Sequence, residues 1–206
     1  MPQLNTVSKT NGNQLRIEFS FGGETTRRRR RAGTANAVLY RRHVRRHRSL
    51  VPLSHEHHDI LVVAQGLIRG RSPAPHSDWP PVRRGQVGRV LDFFDQVLAP
   101  HFDFEEQVLF PLAERELLRA APLLAALVRE HDEVRSHLAT LRANPTHDLD
   151  LRLPALGRLL ESHVRQEERV LFESLQRELS EDILNSIGSE LRARPTSGPS
   201  CQPRQP

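Results

Sequence analysis

At 206 residues and 37% hydrophobic content, the chain has material for one domain of ordinary size plus tails, and it holds no apolar run of about 18 residues to span a membrane. Its single cysteine, Cys201, excludes a disulfide framework within one chain, and the start lacks the apolar stretch of a secretory signal, so a cytoplasmic protein without a membrane partner is expected. The net charge of +5 hides a split. Residues 1–50 carry twelve basic side chains against Glu18 and Glu24, and the remaining 156 residues carry 18 basic against 23 acidic, so a strongly basic leader precedes a mildly acidic domain.

Residues 1–48 read as a basic, disordered leader. Gly12, Gly22, Gly23 and Gly33 punctuate it, and Arg27 to Arg31 repel one another. Leu15, Ile17, Phe19 and Phe21 alternate like a short strand without a partner. The Arg27–Arg48 stretch is the only part of the chain suited to gripping nucleic acid by charge.

The period turns helical at Pro52 and Ser54, with Ser54 as N-cap and a stripe of Ile60, Leu61, Ala64, Leu67 and Ile68 ending near Gly70. Residues 71–81 hold four prolines and form a loop, Pro80 and Pro81 sitting in the first turn of the next helix. That long second segment is striped by Val90, Phe94, Val97, Leu98, Val108, Leu109 and Leu112, with kinks expected at Pro100 and Pro111. A third helix starts at Pro122, is striped by Leu124, Leu127, Val128, Val134, Leu138 and Leu141, and breaks at Asn144-Pro145. A fourth runs from about Asp150 or Pro154 to Leu179 over Leu156, Leu159, Leu160, Val170, Leu171 and Leu175. Ser180 caps a short last helix over Ile183, Leu184 and Ile187, and residues 191–206 form a Pro/Ser/Gln-rich disordered tail. The expected fold is all-α: residues 49–190 form an antiparallel up-down four-helix bundle with a short fifth C-terminal helix, between disordered tails.

One pattern occurs twice. Glu56-His57 opens a helical stretch and His101-x-x-x-Glu105 follows; Glu130-His131 opens another and His163-x-x-x-Glu167 follows. Each of these histidines sits on an apolar stripe: His57 before Ile60, Leu61 and Ala64, His101 after Val97 and Leu98, His131 after Leu127 and Val128, His163 after Leu159 and Leu160. Glu105 and Glu167, four residues on, keep to the same face, whereas Glu106 is rotated about 140° from His101 and points outward, and Glu167 has the better angle than Glu168. His137 falls on the far face beside Glu133; His43, His47, His76 and His147 lie in the leader or loops; His55 and His58 flank His57 as outer partners of the cluster.

A lone core histidine is ordinarily a hydrogen-bonded structural residue, but two buried carboxylates with few cations beside them cost several kcal/mol, and Arg135 is the strongest candidate near the seam. Divalent ions remove that cost. His57, His101, Glu105, His131, His163 and Glu167 are therefore the candidate metal ligands. Four imidazoles and two carboxylates without a thiolate exclude Cu(I) and Fe–S sites and suit two iron ions, with manganese or zinc as alternatives.

These residues resemble the hemerythrin-like (HHE cation-binding) family over roughly residues 49–190. The carrying pieces are Leu53 to His58, His101 to Pro111, Arg129 to Asp132, and His163 to Phe172. The double His-x-x-x-Glu with a following Leu-Phe is their most specific part. The resemblance implies an up-down-up-down bundle around an oxo- or hydroxo-bridged di-iron centre, with Glu105 and Glu167 bridging. The oxygen-carrying members have a fifth histidine one turn after the position matching His131, where this chain has Arg135, and they space the last carboxylate one residue further from the position of His163. Both departures argue against reversible oxygen carriage.

Three functions compete. The first is a non-haem di-iron binding protein of the hemerythrin type that binds or senses oxygen, nitric oxide or iron. The second is a di-iron enzyme reducing peroxide or nitric oxide. The third is a metal-free helical interaction module. The partner is accordingly a small diatomic ligand or peroxide.

Overall fold

A computed structural model describes residues 45–71 and 78–194. By its contacts the chain divides into a unit over Met1–Arg42 and a unit over His43–Pro206, and every described residue belongs to the second. The expected strand at Leu15–Phe21, the arginines from Arg27 to Arg42 and the tail after Arg194 lie outside the described residues.

The described residues are all helical, with no strand among them. α1 spans Val51–Arg69, starts with Pro52 in its first turn, and ends at Gly70, whose φ of 70° is a left-handed cap. Ser54 is not its N-cap. The N-cap is Leu50, four residues earlier, and the Ser54 hydroxyl donates instead to Glu168 Oε1 at 2.7 Å. α2 is one long helical run in three α-helical pieces, Arg83–Phe93, Ala99–Phe104 and Phe110–Glu116, joined by π-helical turns at Phe94–Leu98 and Glu105–Leu109. Pro80 and Pro81 precede this helix rather than enter it. α3 spans Ala121–Ala143. α4 runs from Leu149–Gln166 through a π-helical turn, Glu167–Leu171, into Phe172–Glu178. α5, Glu181–Ala193, is capped by Ser180, whose hydroxyl accepts from the Ile183 amide at 3.4 Å.

The expected kinks at Pro100 and Pro111 take the form of the two π-turns that immediately precede them. Proline is not the whole cause, because the third π-turn, Glu167–Leu171, has no proline after it. The same turn corrects the expected stripe on α4: Leu171 is buried as expected, but Val170 is turned out to solvent and Phe172 is buried in its place. The termini differ from expectation as well. Arg46, His47 and Arg48, assigned to the leader by charge, hold Glu168, Gln176, Glu181 and Asn185, and α5 continues to Ala193 beyond the expected boundary at residue 190.

α1 packs along α4 through Gly157, where a Cβ would fall 2.6 Å from the Ala64 carbonyl oxygen and 2.8 Å from Ile68. The buried apolar residues form two clusters. One holds Leu53, Phe104, Leu109, Leu127, Leu171 and Phe172, among others; the second holds Ile60, Leu98, Phe102, Val134, Leu160 and Val164, among others. Each of α1 to α4 passes from one cluster to the other. α1 and α3 enter the first cluster before the second; α2 and α4 meet them in the opposite order. Between the two clusters, on all four helices, stand the histidines and glutamates singled out above.

Candidate metal centre

His57, His101, Glu105, His131, His163 and Glu167 are all at most 1% exposed. Among the described residues they are the only titratable side chains buried to that degree; the other buried polar side chains are Ser49 and Gln86. The structure brings all six together. One atom from each of His57, His101, Glu105 and Glu167 lies within 4.8 Å of the other three, and the same holds for Glu105, His131, His163 and Glu167. The two groups share both carboxylates. Glu105 Oε1 is 3.2 Å from His101 Nε2, and its Oε2 is 3.4 Å from His131 Nε2. Glu167 Oε2 is 3.1 Å from His57 Nε2 and 3.3 Å from His163 Nε2. Within each half the two imidazole Nε2 atoms face each other at 3.1 Å.

An outer carboxylate fixes every imidazole. Nδ1 donates to Glu168 from His57 at 2.8 Å, to Glu56 from His101 at 2.6 Å, to Glu106 from His131 at 2.7 Å, and to Glu130 from His163 at 2.9 Å. A carboxylate only accepts, so each Nδ1 carries the proton and the neutral ring presents the Nε2 lone pair inward. The sequence reading assigned this outer role to His55 and His58, which are exposed, and it turned Glu106 outward. The signal that identifies the true partners is the glutamate next in sequence to one donor of each pair: Glu56, Glu106, Glu130 and Glu168 repeat in the same register in both halves.

The π-turns bring aromatic side chains over the imidazoles. In an α-helix residues i and i+5 lie about 140° apart; a turn widened to an i+5 hydrogen bond stacks them. The Phe110 amide donates to the Glu105 carbonyl and the Phe172 amide to the Glu167 carbonyl. Phe172 thereby stacks on His57 with centroids 5.1 Å apart, and Phe110 stacks on His131 at 5.7 Å. Phe102 covers His131 from another side at 3.7 Å.

All four oxygens of Glu105 and Glu167 are buried without a hydrogen-bond partner. Four inward lone pairs and four orphaned carboxylate oxygens leave the centre rich in acceptors and poor in donors, which is the arrangement that cations satisfy. Without them protons take that place. Burial pulls the His57 pKa down, but Glu105, Glu167 and Glu168 more than reverse this and raise it well above its ordinary value. His163, against the same burial, is pushed up to about 10 by Glu167 and Glu130. Burial raises the Glu105 pKa, and His101, His131 and His57 overcome it and hold the carboxyl well below the usual range.

A model of the hemerythrin HHE cation-binding domain matches residues 48–175. This chain belongs to the hemerythrin family. No curated protein and no solved structure gives a match to it. Cation binding is the property named for this hemerythrin domain, and the two His/Glu groups are what the chain offers a cation. Arg135, one turn after His131, does not enter the cluster. Its guanidinium donates to Glu106 Oε1 at 2.8 Å and lies over the Phe102 ring. His137, read from sequence as a bystander, lies partly exposed, 3.8 Å from Glu133.

Proposed function

We propose that this chain is a non-haem di-iron protein of the hemerythrin type that binds or senses oxygen, nitric oxide or iron itself. The observation that carries the reading is the pair of four-donor groups with both carboxylates in common. Two ions of one kind, each with two imidazoles and a share in Glu105 and Glu167, satisfy every orphaned oxygen at once. The donor set contains nitrogen and oxygen and no thiolate, which suits iron, with manganese and zinc as the competing ions. The alternating order in which α1 to α4 cross the two apolar clusters supports an antiparallel up-down bundle around this layer.

Iron in this position supplies a redox-active centre for a small ligand. The protein's part is positional. His57, His101, His131 and His163 are locked by their outer carboxylates, and Phe102, Phe110 and Phe172 exclude water from three imidazole faces. Donors at most 1% exposed admit a diatomic molecule or peroxide more readily than an organic substrate. Among the described residues no helix is long and apolar enough to cross a membrane.

One observation favours the second reading, an enzyme that reduces peroxide or nitric oxide. Each half offers only four donors, and Arg135, which has no lone pair to give a cation, is turned to Glu106, so an ion in either half keeps free coordination positions. The metal-free module is the weakest reading, since it leaves Glu105 and Glu167 buried without partners.

Metal analysis of chain expressed in iron-replete cells tests the proposal. About two irons per chain, with an optical spectrum that changes when oxygen is admitted to the reduced protein, is the expected result. A metal content near zero overturns it. Catalytic peroxide consumption, in place of a stable spectral change, selects the enzyme reading.

A further inference from the structure

The two halves of the centre match in their donors but not in the charges behind them. Outside the four imidazole-fixing glutamates stand three arginines. Arg46, ahead of α1, binds the Glu168 carboxylate and also its main-chain oxygen at 3.0 Å. Arg194, after α5, donates to Glu56 Oε1 at 2.5 Å and to the Pro100 carbonyl at 3.4 Å. Arg135, on α3, donates to Glu106. Each guanidinium also lies over a core aromatic ring: Arg46 over Phe172 at 5.2 Å, Arg194 over Phe104 at 4.8 Å, Arg135 over Phe102 at 5.6 Å. The planar fork and the stacking hold them in place, so they are fixtures rather than wandering surface charges.

Glu130 is the exception. It accepts from His163 Nδ1, and among the described residues no arginine pairs with it. The consequence is an imbalance of one positive charge. In the His57–His101 half both outer glutamates are neutralised; in the His131–His163 half only Glu106 is. Ser54 adds to the difference, because its hydroxyl also donates to Glu168, whereas the residue three before His131 is Val128.

A carboxylate already engaged by a guanidinium accepts less strongly from the imidazole behind it, and the imidazole is then a poorer donor to a cation. The full negative charge of Glu130 also adds to the attraction for any cation nearby. We propose that Arg46, Arg194 and Arg135 are positioning residues that make the two ion positions unequal, the His131–His163 position binding the first cation and the His57–His101 position the second. This rests on the metal reading above and adds an order of filling that the symmetric donor set alone does not contain.

Stepwise titration of the full metal-free chain with Co(II), read by calorimetry and by the ligand-field absorption of the bound ion, tests it. Two separated steps are expected. Glu130→Gln should weaken the first step by about tenfold or more, the size typical of a lost outer carboxylate on a ligating histidine. Arg194→Gln should strengthen the second step and close the gap. Arg135→Gln should strengthen the first and widen it, and Arg194→Lys should return part of the wild-type gap. Opposite signs from two arginine variants cannot come from general damage to the fold, and Ser54→Ala, the mildest change, should close the gap by a smaller amount. A single unresolved step for two ions in the wild type, or arginine variants that weaken both steps alike, overturns the inference and leaves the metal reading standing. No uptake of Co(II) by the wild-type chain overturns both.

Discussion

Metal uptake by this chain should expel protons, and the number follows from the charges in the centre. Glu105 and Glu167 are buried without hydrogen-bond partners, so the metal-free protein needs about two protons on the imidazoles to neutralise them. His57, His101 and His163 all have raised pKa values in the metal-free fold, each by carboxylates overcoming burial. A raised pKa stabilises the fold below the unfolded value near 6.5, and that contribution is lost as pH climbs toward about 10, the value reached by His163. In the metal-loaded protein the imidazoles are neutral ligands and the loss does not occur. The stability gap between loaded and metal-free protein should therefore widen with pH across this window. At about 1.4 kcal/mol per proton per pH unit, two protons give roughly 2.7 kcal/mol per unit. For a domain of this size that is roughly 5–10 °C in Tm per pH unit. Thermal melts at fixed free Zn(II), a redox-silent stand-in, against chelator-treated protein at pH 7, 8 and 9 measure it. Calorimetry in two buffers of different ionisation enthalpy counts the protons directly. A gap independent of pH with no proton release would refute the reasoning, since the cluster would then be charge-neutral without metal or protons.

His101→Ala removes a donor to one ion and the partner of Glu56, and should weaken metal binding by at least about a hundredfold, whereas partly exposed His137→Ala should leave metal content unchanged and stability within about 0.5 kcal/mol. Gly157→Ala places a methyl 2.6 Å from the Ala64 carbonyl, so α1 must move off α4 at a cost of about 2–3 kcal/mol, readable by urea denaturation. The Glu168 carboxyl is held down to about 2; burial opposes this, but the His57 and Ser54 hydrogen bonds and the charges of His57 and Arg46 overcome it. A depressed pKa stabilises above the ordinary value of 4.5 and the contribution is lost as pH falls toward 2, so Glu168→Gln should flatten the acid limb of the stability curve there by roughly 1–2 kcal/mol after allowance for solvent screening.

The convergence of the six central side chains was legible because each interrupts an apolar stripe and because the interruption occurs twice with one spacing. The helices were legible for the same reason: apolar residues at helical period, with Pro52, Pro122 and Ser180 as start signals. What escaped is everything that depends on departures from an ideal helix or on distant contacts. Glu106 points away from His101 on its own helix, and it is the approach of α3, which sequence periodicity does not give, that brings the His131 imidazole to it. Val170 was placed inward on the same regular geometry. Arg46 and Arg194 belong to segments that composition assigned to tails, and charge counting does not reveal that Glu168 and Glu56 await them. The cluster of glutamates beside the donors was visible in the sequence all along; its meaning was not, because adjacency in sequence ordinarily points two side chains in different directions.

The π-turns themselves can be put to the test through Val170. One extra residue in the turn Glu167–Leu171 lets Glu167 reach the centre while Phe172, five positions on, lies over His57. Val170 is the exposed apolar residue of that turn: it is 47% exposed, whereas Leu171 and Phe172 are fully buried. Deleting Val170 should let the turn close as ordinary α-helix, with a better local hydrogen-bond ladder. Phe172, then four positions after Glu167 instead of five, comes to lie about 40° round the helix from Glu167 instead of stacked upon it. Either Phe172 and Leu175 shift within the core or the two donors turn away from the centre. The apolar pair buries far more surface, so the donors should yield. The deletion variant should keep its helical circular dichroism and a cooperative melt in chelator while losing metal, and the metal-dependent rise in Tm should vanish. If it instead binds two ions as tightly as the parent chain, the widened turn has no part in building the centre, and its occurrence at both Glu105 and Glu167 needs another cause.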